Sequence, residues 1–93
     1  MLIKPSVAKK KLASFTGWEV ESREINKIFL FPSFPAAIAF VDKISYEAER
    51  VNHHPDIDIR WRKVRVTLST HSEGGITKKD IDLAKKIEKE FSL

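Results

Sequence analysis

The sequence contains no cysteine among its 93 residues. This absence excludes disulfide bonds, thiolate nucleophiles and the zinc or iron–sulfur sites that depend on cysteine ligands, and it suits a reducing compartment. No apolar run approaches the ~20 residues of a membrane span, and the first residues lack the apolar stretch of a signal peptide. We therefore expect a cytoplasmic protein with no membrane contact.

Glycine and proline are also scarce, with three and four residues respectively. No stretch rich in glycine, serine or proline divides the chain, and its 42% hydrophobic content can build one modest core. We therefore predict one domain over residues 1–93. So short a chain has little stability to spare when it folds alone, which favours a homo-oligomer.

Several sequence motifs of enzyme families are missing. There is no G-x-S-x-G motif of hydrolases, no P-loop and no dinucleotide-binding glycine pattern. The net charge is +4, but acidic residues are interspersed with the basic ones in most segments. Nucleic-acid binders usually concentrate such charge with aromatics on one face, so the composition argues against nucleic-acid binding.

The first half of the chain shows helix, hairpin and helix patterns. Residues 6–15 have helical spacing and stop before Gly17. Residues 18–20 and 25–31 are rich in aromatic and β-branched residues and predict a hairpin. Ser33 can then cap a long helix whose apolar positions recur at steps of three and four and which ends at Asn52 or His53, before Pro55. We expect its core face to comprise Phe34, Ile38, Val41, Ile44, Ala48 and Val51.

The second half repeats the hairpin and helix. Apolar residues alternate over 57–61 and, on the opposite parity, over 64–68, which implies a tight turn at Trp61 to Lys63. Thr77 and Asp80 resemble a capping box at the start of a last helix. The order αββαββα predicts an α+β two-layer domain, with a four-stranded antiparallel sheet and three helices on one face.

All three histidines, His53, His54 and His71, fall between the end of the long helix and the end of the second hairpin. His53 lies at a helix C-terminus, where unpaired carbonyls favour a protonated imidazole. Glu49 precedes it by four residues, on the same helix face, and could pair with it. A hairpin can bring His71 back to the helix end. The pattern indicates an acid–base centre, with His53 as a proton donor.

Other interpretations compete at each position. A helix-terminal histidine is often only a C-cap, and three histidines could bind catalytic zinc, although the adjacent His53 and His54 must diverge. Trp61 could stack on a flat ring or pack beside the turn as a core aromatic, and Trp18 fits the core. For Asp80, helix capping is favoured over a catalytic role.

Taken together, these residues resemble a family signature. Glu49, His53-His54-Pro55, Trp61, Thr70-His71 and Asp80 are similar to the pattern of pterin-4a-carbinolamine dehydratases, and the resemblance covers most of the chain from about Gly17. It implies the αββαββα fold assembled into dimers or tetramers. It also implies dehydration of 4a-hydroxytetrahydropterin to quinonoid dihydropterin in pterin recycling, with no metal and no cofactor.

The resemblance also implies roles for individual residues. His53 and His71 would serve in acid–base catalysis with Glu49, and His54, Trp61 and Asp80 would help to bind the pterin. Trp61 stands where a tyrosine is more common in the family, which leaves substrate preference open. Because vertebrate relatives also act as a dimerisation cofactor for a transcription factor, an interaction module on the same fold is the alternative function.

Overall fold

A computed structural model describes residues 1–93 and has the predicted element order, αββαββα. The fold class predicted from the sequence is confirmed: three helices and one four-stranded antiparallel sheet. The helices and strands have these bounds: α1 Pro5–Lys11, β1 Glu19–Val20, β2 Ile25–Leu30, α2 Phe34–Val51, β3 Asp56–Arg60, β4 Lys63–Leu68 and α3 Lys78–Ser92, with a 3-10 turn at His71–Glu73. No helix combines the length and the apolar character needed to cross a membrane.

The sheet has the strand order β1-β2-β4-β3, so β2 and β4 are central and β1 and β3 are edge strands. All neighbouring strands are antiparallel, and β3 pairs with β4 along its whole length. Alternate side chains point to opposite faces of a sheet. Val64 and Val66 of β4 are fully buried, whereas Lys63 and Arg65 are exposed. One face is therefore covered by the core and the other is open.

The first helix is shorter than predicted. It ends at Lys11 instead of continuing to residue 15, because Leu12 already leaves the helical conformation and a turn leads to Gly17 at φ 97°. Ala8 and Leu12, four residues apart, are buried, whereas Val7 is 40% exposed. Leu12 is thus buried and Phe15 packs against the core, whereas Val7 lies outside it.

The long helix α2 begins and ends as predicted. The Ser33 side chain accepts a hydrogen bond from the Ala36 N–H, and the helix ends at Asn52, which has the left-handed φ of 51°. Its buried face, however, is only partly the predicted one and comprises Ala37, Phe40, Ile44 and Ala48. Phe34, Ile38 and Val51 are between 40% and 48% exposed. The apolar arc of α2 is wider than the surface that the sheet and α3 cover.

A buried ion pair joins the sheet to the last helix. The Lys27 ammonium of β2 contacts the Glu88 carboxylate of α3, and both side chains are about nine-tenths buried. Trp18 Nε1 donates to the same carboxylate at 2.8 Å. Trp18 is half-buried and packs edge-on against Phe29, so it borders the core as the sequence indicated.

Candidate functional site

A polar cleft opens where three chain segments meet: the end of α2, the loop after β4 and the start of α3. It has a volume of about 320 Å³ and no hydrophobic residue lines it. The three histidines predicted as an acid–base centre all lie in its wall, although they are up to 18 residues apart in sequence. The lining residues are Asn52, His53, His54, Ser69, Thr70, His71, Ser72 and Lys79.

The buried carboxylate of Asp80 holds the side chain of His53 in place. The left-handed Asn52 ends the helix, and the His53 imidazole Nε2 lies 2.6 Å from Asp80 Oδ1. An ionised carboxylate can only accept hydrogen bonds, so Nε2 carries the hydrogen. Nδ1 is then the ring nitrogen left free to exchange a proton with another group. The pairing fixes the tautomer and the orientation of the ring.

Asp80 also organises the start of α3. It is fully buried, and its Oδ2 accepts from the Thr77 N–H at 2.9 Å and from the Thr70 hydroxyl at 2.8 Å. The Thr77 hydroxyl lies 2.7 Å from Thr70 Oγ1. Since the Thr70 proton is committed to Asp80, Thr77 donates in that contact. The capping box predicted from the sequence is present.

The same contacts show which groups Asp80 holds in this chain. Both of its oxygens are occupied by protein donors and none of its surface is exposed. These contacts are all with protein groups, and the role of Asp80 in substrate binding stays a prediction. Asp80 caps the helix, as the sequence favoured, and it also positions His53.

Glu49 pairs with His54 instead of His53. Its Oε1 lies 2.8 Å from His54 Nε2, and both side chains are more than half exposed. The predicted pairing of Glu49 with His53 is therefore wrong. It assumed that His53 continues the helix, but α2 ends at Val51 and the left-handed Asn52 changes the direction of the chain. His53 consequently turns inward to Asp80, while His54 remains beside the exposed face of the helix end.

His71 stands on a tight loop after β4. The loop is closed by Thr70 and Gly75, whose backbone groups bond in both directions at 2.8 and 3.3 Å. Gly74, at φ 76°, provides the left-handed turn that returns the chain. The His71 side chain is exposed at the cleft. The expectation that the hairpin returns this residue to the end of α2 agrees with the structure.

Trp61 lies outside this cleft. It occupies the turn between β3 and β4 with φ 55°, and it is 70% exposed. The histidines lie at the opposite end of β3, which is ~20 Å away for six residues of extended chain. Within one chain, Trp61 therefore cannot contact a molecule in the histidine cleft. Its exposure shows that the alternative interpretation of Trp61 as a core aromatic is wrong. Its role in pterin binding stays a prediction.

A second cleft adjoins the first and shares two of its residues. It has a volume of about 410 Å³, and His53 and Lys79 line both spaces. Its apolar residues are Val51 and Leu83. Sequence reasoning missed Lys79. The signal was a basic residue in the first turn of a helix, where the helix dipole disfavours positive charge and where a stabilising choice would be acidic.

The arrangement can move protons. The buried Asp80 carboxylate orients one imidazole, and the exposed Glu49 carboxylate holds a second. The third imidazole, that of His71, is exposed and also lines the cleft. The Nε2 atoms of His53 and His54 are engaged by different carboxylates. No group of three histidine, aspartate or glutamate side chains is placed to hold one metal ion. The geometry suits general acid–base chemistry on a small polar molecule.

Sequence comparisons agree on one family. A family model described as pterin 4 alpha carbinolamine dehydratase matches residues 2–90. A Roseiflexus castenholzii protein with the name "Putative pterin-4-alpha-carbinolamine dehydratase" is 52% identical over 94% of both chains. A Sulfolobus acidocaldarius protein of the same name is 44% identical over 87% of this chain and 89% of its own.

Solved structures show the same fold. A transcriptional coactivator/pterin dehydratase from Brucella melitensis has a TM-score of 0.88 and 34% identity, and the match covers 97% of this chain and 98% of that one. A pterin dehydratase-like protein described as a RuBisCO assembly factor has a TM-score of 0.71 over 83% of this chain and 92% of its own. At 20% identity, the second match bears on the fold alone.

Proposed function

Since the chain belongs to the pterin-4a-carbinolamine dehydratase family, we propose that it dehydrates a 4a-hydroxytetrahydropterin to quinonoid dihydropterin and water. The observation that carries the proposal is the cleft in which all three histidines meet, with His53 held by the buried Asp80. The reaction would belong to pterin recycling after aromatic hydroxylation. We place it in the cytoplasm and assign it to one catalytic domain.

The reaction needs one proton donor and one proton acceptor. As the N5 lone pair forms the C4a=N5 bond, the C4a–O bond breaks and the leaving oxygen takes up a proton. N5 then loses its own proton, so that water and the quinonoid product are formed. Two imidazoles suffice for these two transfers. His53 and His71, which both line the cleft, fit this requirement.

The different contacts of the histidines support different roles in the proposed reaction. Asp80 Oδ1 engages His53 Nε2 and leaves Nδ1 free, so we assign His53 as the donor to the leaving hydroxyl, through Nδ1. His71 would accept the N5 proton. His54, held by Glu49, would bind the pterin, and Glu49 would support catalysis through that contact. The mechanism uses no metal or redox cofactor, because both proton transfers run through side chains.

A dehydration assay tests the proposal directly. The wild-type protein should accelerate loss of water from a 4a-hydroxytetrahydropterin above the spontaneous rate, because the cleft offers both a proton donor and a proton acceptor. His71→Ala should lose most of this acceleration while circular dichroism stays unchanged. Glu73→Ala is the matched control and should keep it, because Glu73 lies on the same turn, is exposed and does not line the cleft. Equal rates with and without wild-type protein would refute the proposal.

A second candidate function is an interaction module on the same fold. Its support is the Brucella melitensis neighbour, whose title joins a transcriptional coactivator with a pterin dehydratase, together with exposed apolar residues on α2 such as Phe34 and Ile38. A protein that lacks dehydratase activity and binds one defined partner at fixed stoichiometry would favour this candidate. A homo-oligomer, dimer or tetramer, is part of either proposal.

A further inference from the structure

We propose that the second cleft binds an anionic group on the C6 substituent of the pterin, so that the substrate is a pterin with a negatively charged side chain. This inference rests on the proposed function, which places the pterin ring among the histidines. The cleft has a volume of about 410 Å³, and we call it the lysine cleft. Its lining residues are Val51, His53, Lys79, Asp82, Leu83, Lys85 and Lys86.

The position of the lysine cleft suits a substituent on C6. It adjoins the histidine cleft, and His53 and Lys79 line both spaces. The reacting atoms of the proposed substrate are C4a and N5, and C6 is the next ring atom bonded to N5. A substituent on C6 therefore leaves the ring beside the atoms that exchange protons. Because His53, the assigned proton donor, also borders the lysine cleft, this cleft is the neighbouring space that such a substituent can enter.

The wall of the lysine cleft is positively charged. Apart from the histidine, its charged side chains are three lysines and one aspartate. The aspartate, Asp82, is already engaged, because Lys78 Nζ lies 2.5 Å from its Oδ2. Lys79, Lys85 and Lys86 form no ion pair within the chain. An anion in this cleft would therefore meet lysines whose charge no carboxylate of the chain neutralises.

The floor of the lysine cleft is apolar. Leu83 is 1% exposed, and Val51 at the end of α2 is partly covered. Lys79 precedes Leu83 by four residues and Lys86 follows it by three, so the two lysines flank this floor on one face of α3. Ligand sites combine apolar surface with a few placed polar groups in this way. The carbon atoms of a substituent can pack on the floor while its anion contacts the ammonium groups.

Two of these lysines occupy positions that the isolated domain does not favour. Lys79 lies in the first turn of α3, where the positive end of the helix dipole disfavours a cation. Lys86 is half-buried although no carboxylate pairs with it. A bound anion would stabilise both charges. The lysine ammonium is a compact point charge on a flexible stem, and this geometry suits a phosphate group.

Two pterins that differ only in a phosphate group test the proposal. The probes are 6-hydroxymethyl-7,8-dihydropterin and its phosphate monoester, which have no hydroxyl on C4a and therefore cannot turn over. Isothermal titration calorimetry gives the Kd of each. The ester should bind wild-type protein at least about tenfold more tightly, which is the effect of one charge-assisted hydrogen bond, and this preference should shrink at high salt. Equal Kd values would overturn the proposal.

Removal of charge tests the location of the anion. Lys85→Gln/Lys86→Gln retains good helix formers and should reduce the preference for the ester to about threefold or less. Lys89→Gln is the matched control and should keep the wild-type preference, because Lys89 is exposed on the same helix and does not line the cleft. Circular dichroism checks that both variants are folded. A double variant with the full wild-type preference would show that the anion binds elsewhere, and would refute the assignment.

Inorganic phosphate distinguishes an anion carried by the substrate from a separate anionic ligand. If the lysine cleft holds the phosphate of the ester, inorganic phosphate should compete and raise the Kd of the ester. Sodium chloride at the same ionic strength is the control for screening. Simultaneous binding of inorganic phosphate and the ester, with an unchanged Kd for the ester, would mean that the cleft serves a separate anion, and the proposal would fail.

The dehydration assay separates this proposal from the proposed function. If wild-type protein does not accelerate dehydration but prefers the ester in a manner that depends on Lys85 and Lys86, the proposed function fails and the anion site stands. If wild-type protein accelerates dehydration and binds both pterins equally, the proposed function stands and the anion site is refuted.

Discussion

Asp80 is the residue on which two parts of the molecule depend. It caps α3 through the Thr77 N–H and holds His53 through Nε2. Because the carboxylate is fully buried, loss of either contact cannot be compensated by water. Stability and activity can nevertheless be separated, since the cap uses Oδ2 whereas the His53 contact uses Oδ1.

Asp80→Asn should therefore lower activity more than stability. One amide oxygen can still accept from Thr77, but the amide N–H₂ opposes the His53 Nε2–H and forces the other tautomer. We expect activity to fall at least tenfold and the free energy of unfolding to fall by about 1–2 kcal/mol. Urea unfolding measures the change in the free energy of unfolding, and the dehydration assay measures the change in activity. Asp82→Asn, exposed on the same helix, is the control, and equal losses for both variants would contradict this role.

Glu49→Gln should act on substrate binding. Removal of the carboxylate charge loosens His54, which we assign to binding, but leaves the His53–Asp80 pair in place. We expect a KM raised several-fold and a kcat within about threefold of wild type, the signature of lost ground-state contact. Steady-state kinetics distinguish this from His71→Ala. Glu47→Gln, two residues earlier on α2, should change neither constant.

At the scale of elements, the end of α2 determines where the histidines point. Asn52 at φ 51° ends the helix and separates His53, which turns to the buried Asp80, from His54, which stays with the exposed Glu49. Two adjacent histidines thereby acquire different surroundings. The conformation of one capping residue thus sets the division between proton transfer and binding in the proposed mechanism.

Substitution of Asn52 tests this dependence. Asn52→Gly should leave stability within a few tenths of a kcal/mol, because glycine adopts the left-handed conformation freely. Asn52→Ala should cost about 1 kcal/mol, because Cβ disfavours it. Thermal unfolding of the two variants gives the comparison. Identical melting temperatures would show that the left-handed residue is not what ends the helix.

The elements themselves were predictable, because they follow from local patterns: the capping residues Ser33 and Thr77, Pro55, and the parity change at Trp61. Contacts between elements were harder to predict from the sequence. The pairing of Asp80 with His53 joins residues 27 apart in sequence, and no helical or strand period relates them. The buried face of α2 could not be predicted from the sequence either. Its apolar residues extend around more of the helix than the sheet and α3 cover. His71 was placed correctly, since a hairpin must return its chain.

At the scale of the whole molecule, the Lys27–Glu88 pair ties the sheet to α3. Both side chains are nearly buried, and such a pair costs desolvation that its attraction roughly offsets. The lysine also lies 4.6 Å from the Phe29 ring centroid, so its charge has several partners. Removal of one member of the pair should therefore destabilise the protein more than replacement of both members.

Lys27→Met should destabilise the protein by about 3 kcal/mol, because it leaves the Glu88 carboxylate buried and unpaired. The double variant Lys27→Met/Glu88→Gln should recover most of this loss, since the glutamine still accepts from Trp18. A double-mutant cycle in urea unfolding measures the coupling. Lys78→Met, exposed on α3, is the control. A double variant less stable than Lys27→Met would contradict the argument.

The two contacts of α3 described above have a consequence for biosynthesis. The helix that contributes Asp80 and Glu88 follows the segments that carry His53 and His71 in the sequence, so it leaves the ribosome after them. Until it docks, His53 has no carboxylate to orient it. A nascent or C-terminally truncated chain would thus be catalytically silent, and the appearance of activity would report that the full domain has closed.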